Sequence, residues 1–142
     1  VDLPPEEAEP WVAALRQHRL DLIFLLAPTT TAARAQRIVA VGSGFLYYVS
    51  LKGVTGAGHL DTQGVQARLA QLRLLTDLPL GVGFGIQDGA TARQVGQGAD
   101  AVIIGSALIR RIESLAAEPN RLLVEVPGWL HELRLALDGA ET

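Results

Sequence analysis

"LPLGVGFGIQDGATARQVGQGADAVIIGSALIRRIES", residues 78–114, holds two strand-then-helix units back to back. Its strand-length runs, 78–84 and 100–105, consist of apolar residues, glycine and proline, with Asp100 the one charged position. Runs of that kind suit strands buried on both faces. Each reaches a glycine, Gly85 just after the first and Gly105 closing the second, and leads into a helix-forming stretch, 88–99 after the first and 106–114 after the second. A strand, a bare turn and a helix, repeated, implies parallel pairing through right-handed crossovers.

The same unit recurs upstream. "DLIFLLAP" at 21–28 is an apolar run closed by Pro28, followed by "TTTAARAQRIVAVG" at 29–42, with threonines available as caps and Gly42 as a stop. "GFLYYVS" at 44–50 is rich in β-formers, and 62–77 reads as its helix. A first helix is expected over 5–18, with Pro5, Glu6 and Glu7 in its first turn. A terminal helix is expected over 118–139, interrupted or bent at Pro127-Gly128. The expected class is α/β: one domain over residues 1–142, with four parallel βα units forming a small open sheet or half of a (βα)8 barrel. The chain has no methionine and opens on "VDLPPEE", which reads as the tail of a strand. That favours half a barrel, cut from something longer.

Composition removes several function classes. Hydrophobic residues make up 49% of the chain, enough for a packed core. The net charge is −3, and the arginines are scattered apart from Arg110-Arg111, so no basic stripe tracks a nucleic-acid backbone. With no cysteine and three distant histidines (His18, His59, His131), no metal-ligand spacing exists. The lack of cysteine also fits a cytoplasmic protein, and no signal peptide or membrane-length apolar stretch is visible.

In α/β folds ligands bind beyond the C-terminal ends of the strands. Gly53, Gly56, Gly83, Gly85 and Gly105 all fall on that rim. Bare backbone amides beside a helix start form an anion site without any cation. "IIGSALI" is the sharpest case: Gly105 permits close approach, and Ser106 offers a hydroxyl at a helix amino end. The plain alternative is a strand end with a serine N-cap. Paired with "GFGI" one unit earlier, phosphate binding is the better reading.

Of Tyr47 and Tyr48 only one can face a barrel interior, as substrate wall or as packing. Phe84 either floors a pocket or fills a core. His59 reads as solvated, Asp61, Asp77 and Asp88 as caps, and Trp11 and Trp129 as helix packing. Asp2 faces a ligand or a partner. No convergent acid/base pair and no nucleophile with its base can be assembled.

The order of motifs, "DLPPEEAEPW", "FLLAPTTT", "GFLYYVSLKGVTGA", "GVGFGI" and "ADAVIIGSALI", resembles the C-terminal half of the tryptophan synthase alpha chain family, over essentially the whole chain. The resemblance implies the C-terminal half of a TIM (βα)8 barrel and a lyase of tryptophan biosynthesis. Its reaction is retro-aldol cleavage of indole-3-glycerol phosphate to indole and glyceraldehyde 3-phosphate. It assigns Gly56, Gly85, Gly105 and Ser106 to the substrate phosphate, and Tyr47, Phe84 and Ile103 to the indole pocket. "GVTGA" matches a mobile loop whose Thr55 reaches toward a catalytic aspartate, and Asp2 with the prolines after it lies near the partner edge. Leu51 stands where many members carry arginine. The catalytic glutamate and aspartate belong to early strands absent here, so no catalytic residue is expected in this chain, and the segment alone is expected to be inactive. No cofactor is expected, pyridoxal phosphate belonging to the tryptophan synthase beta chain, the expected partner. The alternatives are another phosphate-binding barrel of the phosphoribosyl isomerase type and a non-catalytic half-barrel that self-associates.

Overall fold

A computed structural model describes residues 3–50, 61–83 and 85–139. Four strands form one parallel sheet in chain order: β1 (Phe24–Leu26), β2 (Leu46–Val49), β3 (Leu80–Gly83) and β4 (Ala101–Ile103). Helices α1 (Glu9–Gln17), α2 (Ala32–Val41), α3 (Thr62–Arg73), α4 (Gly89–Gly96), α5 (Ser106–Ser114) and α6 (Pro119–Leu137) surround them. Four consecutive parallel strands with alternating helices are the arrangement that four successive units of a (βα)8 barrel would have.

Register separates the sheet's two faces. Phe24 pairs with Leu46, which pairs with Leu80, and Leu26 with Tyr48, which pairs with Val82. All six are buried, against Ala35 and Ile38 of α2, Val65, Leu69 and Leu72 of α3, and Ala92 and Val95 of α4. Burying each leucine or valine contributes about 1.5–3 kcal/mol, so this face holds the fold together. The opposite face carries Leu25, Tyr47, Gly81 and Ala101 in one row, then Val49, Gly83 and Ile103.

Caps set the helix starts. Thr31 Oγ1 accepts from Arg34 N, Asp61 Oδ1 from Gly64 N at 2.9 Å, and Asp88 Oδ1 from Thr91 N at 2.8 Å. Asp77 caps no described helix; Thr76 Oγ1 holds Leu78 N instead. The helix expected over 5–18 is divided into a 3-10 turn (Pro5–Glu7) and α1. Pro10 has no N–H for a carbonyl one turn back, so it fits only the first turn of a helix begun at Glu9. α6 runs unbroken through Pro127, contrary to the expected interruption. Pro127 and Leu123 are both exposed, so water reaches the carbonyl that the ring leaves unpaired. Trp129 packs as expected, with the Arg111 guanidinium 5.3 Å from its ring centroid. Trp11 does not: it is 60% exposed, and Val12 makes the contact with the core.

Candidate functional site

Beyond the carboxyl ends of β3 and β4 lies a cleft of about 260 Å³. Five residues singled out in the sequence line it together: Tyr47, Gly85, Ile103, Gly105 and Ser106. The other four candidates named from the sequence, Asp2, Thr55, Gly56 and Phe84, lie outside the described residues, as do Leu51, Gly53 and His59.

Two devices hold the rim. Ser50 follows β2, and both its N–H, at 3.0 Å, and its hydroxyl, at 2.8 Å, donate to the carbonyl of Gly83. That pins the end of β2 to the end of β3. At Gly85 the chain turns with φ at 78°, a left-handed conformation that glycine adopts without side-chain strain.

The inner face explains two further glycines. A β-carbon on Gly81 would press on Ile103 and Phe45, and one on Gly83 would fall on the hydroxyl and ring of Tyr47. β3 is bare at these positions because Ile103 of β4 and aromatic rings from the β2 segment lie across it. Burial pushes the Tyr47 phenol up, so at neutral pH it is an uncharged hydrogen-bonding group.

Gly105 differs from both. Its φ is −113°, and a β-carbon added there meets no described atom within 4 Å. Neither backbone conformation nor packing against described residues requires glycine at this position, and it lines the cleft. Gly105 itself is the N-cap of α5, and no described side chain caps that helix. Ser106 therefore is not the N-cap of the plain alternative. It occupies the first helical position, where its N–H and those of Ala107 and Leu108 have no intrahelical acceptor. A cleft lined by a bare glycine and by a hydroxyl and a helix amino end that no described side chain engages is chemically suited to an anion.

Gln87 and Arg110 also line the cleft and were not anticipated from the sequence. Arg110 follows Ser106 by four positions, and that spacing on a helix beginning at Ser106 was the available signal. Among the described residues no group of three or more histidine, aspartate or glutamate side chains is placed to hold a metal. No helix among them is long and apolar enough to cross a membrane.

The family model for the tryptophan synthase alpha chain matches residues 1–134. The tryptophan synthase alpha chain of Nitrosococcus oceani is 51% identical over 141 residues, covering 99% of this chain and 52% of the relative. That of Thioalkalivibrio sulfidiphilus is 54% identical over 138 residues, covering 97% and 52%. Among solved structures, tryptophan synthase subunit alpha from Legionella pneumophila superposes with a TM-score of 0.81 at 37% identity, over 98% of this chain and 50% of that one. Tryptophan synthase from M. tuberculosis gives 0.78 at 34%, over 96% and 48%. The chain thus spans about half the length of the curated relatives it matches.

Proposed function

Because the chain belongs to the tryptophan synthase alpha chain family, we propose that it forms the phosphate-holding half of a lyase site for indole-3-glycerol phosphate. The reaction is retro-aldol cleavage to indole and glyceraldehyde 3-phosphate. In this reading Gly85, Gly105 and Ser106 cradle the phosphate together with Gly56, while Tyr47 and Ile103 wall the indole together with Phe84. Thr55 belongs to the loop that closes over the site. The acid/base groups come from outside this chain, whose share of the work is to hold and orient. No cofactor is needed at this site, pyridoxal phosphate belonging to the tryptophan synthase beta chain, the partner that consumes the indole. The working compartment is the cytoplasm.

The observation that carries the proposal is the amino end of α5: among the described residues Gly105 has no packing reason to be bare, and the Ser106 hydroxyl beside it has no hydrogen-bond partner. Titration with sn-glycerol 3-phosphate tests it. Ser106→Asp places a like charge against the ligand and is expected to weaken binding more than about tenfold. Unchanged affinity would remove the phosphate from this place. Indole release by the 142-residue chain alone would overturn the location of the acid/base groups.

A second reading, self-association of the half-barrel, is favoured by Leu25. It sits on the inner sheet face, 37% exposed, on a strand paired along one edge only among the described residues. Sedimentation of the chain alone decides it: a dimer that Leu25→Glu dissociates supports this reading, and a concentration-independent monomer rejects it.

A further inference from the structure

A phosphate in this cleft is incompletely balanced by the elements assigned to it so far. Near neutral pH a phosphate monoester carries about −1.5 to −2 charges. The amino end of α5 offers roughly half a positive charge, and the Ser106 hydroxyl and the bare amides offer hydrogen bonds without formal charge. Arg110 is the one ionised side chain among the described residues lining the cleft, and no carboxylate lies among them. At four residues beyond Ser106 it shares that residue's face of α5.

Its neighbour shows how the two arginines are divided. Arg111, a third of a turn away, lies over the Trp129 ring and belongs to the α5–α6 contact. Arg34, Arg73, Arg121 and Arg134 are each paired with a carboxylate. Arg110 lines the cleft and forms no ion pair or hydrogen bond with a described residue.

We infer that Arg110 is a further ligand-binding residue, supplying the formal positive charge that makes this cleft select a phosphate ester over an uncharged ligand. The inference rests on the placement of the phosphate at Gly105 and Ser106. A guanidinium provides several donors in a fixed fork and stays charged at every working pH, which suits phosphate oxygens. Its reach from one turn along α5 places it beside the phosphate, leaving the amide cradle at the helix end undisturbed.

Calorimetric titration with inorganic phosphate and sn-glycerol 3-phosphate, at low and at moderate salt, tests it. Arg110→Gln is expected to bind both about tenfold more weakly and with a shallower salt dependence, because one charge has left the site. Arg110→Lys, which keeps the charge but loses the fork, is expected to fall between the parent and Arg110→Gln. Thermal unfolding of both variants is expected to be unchanged, since the side chain is exposed. Parent-like affinity in Arg110→Gln, with Ser106→Asp still weakening binding, would remove Arg110 and leave the cradle intact. A weakened Arg110→Gln with unaltered salt slope, or a lysine variant as weak as the glutamine one, would overturn the charge assignment. Failure of the parent protein to bind either probe, or binding indifferent to Ser106→Asp, would remove the cradle and this inference with it.

Discussion

The ring of Tyr47 on β2 occupies the space that a side chain on Gly83 of β3 would need. A β-carbon at Gly83 would meet Tyr47 Cζ at 2.7 Å, far inside van der Waals contact. Gly83 is thus the seat of the aromatic ring that lines the cleft, and its backbone carbonyl is also the acceptor for Ser50. One residue positions the wall and closes the rim.

Gly83→Ala is therefore expected to destabilise the fold by about 1–3 kcal/mol through overpacking and to displace Tyr47. Thermal unfolding measures the loss. Combining it with Tyr47→Ala should recover part of the loss, because the clash then has no partner. Strict additivity in that double-mutant cycle would show that the two residues do not meet.

The two rim glycines should behave differently. Gly85→Ala forces an L-residue to a φ of 78° and is expected to cost about 1 kcal/mol or more of stability. Gly105→Ala should leave stability within about 0.5 kcal/mol, since its β-carbon meets no described atom, yet should weaken sn-glycerol 3-phosphate binding severalfold. Unfolding curves set beside ligand titrations separate the two effects; a strongly destabilised Gly105→Ala would mean the position is structural after all.

Asp100 governs a pH response at the opposite end of the strands. Its carboxylate accepts from Leu80 N at 2.7 Å and pairs with Arg73, and these hold its pKa below the usual value, the backbone bond contributing most. A carboxyl with a lowered folded pKa binds fewer protons folded than unfolded. Its stabilisation is accordingly present above its unfolded pKa of about 3.9 and is lost as pH falls through the lower folded value. Asp100→Ala should cost about 1 kcal/mol at pH 7, exposure of the pair keeping the figure modest. The gap from the parent should close as pH falls below about 4. A gap independent of pH would show that the carboxylate's charge is not what holds β3.

Pro127 is a liability that α6 tolerates. Proline inside a helix costs about 3 kcal/mol relative to alanine, and this ring is exposed, with no core contact to lose. Pro127→Ala is expected to raise stability by about 1–3 kcal/mol, read as a higher midpoint in thermal or urea unfolding. An unchanged midpoint would mean the helix had already adapted to the ring.

Much of this molecule was legible because periodicity and glycine placement are local properties. Consecutive apolar runs, three of them bounded by glycine, identified all four strands, and the acids at 61 and 88 identified two helix starts. Local signals failed where the outcome depended on competition. Asp77 resembles a cap, but Thr76 took the donor and no helix begins there. Trp11 looks like a packing residue, but Val12 faces the core. Pro127-Gly128 reads as an interruption or a bend, and there is no interruption: the burial of Val126, Trp129 and Leu133 on one stripe accompanies a helix continuous through it.

What the sequence determined by itself was the α/β order, the parallel pairing and the family, since these rest on repeated strand–turn–helix units and on motifs in a fixed order. Only the tertiary structure could distinguish the glycines from one another. Gly83 is bare for an aromatic ring from the neighbouring strand β2, Gly85 for a left-handed turn, and Gly105 for neither. Likewise only packing sent Arg111 to Trp129 and left Arg110 in the cleft. A residue's identity shows what it can do, while the neighbours brought to it across the chain decide which of those things it does.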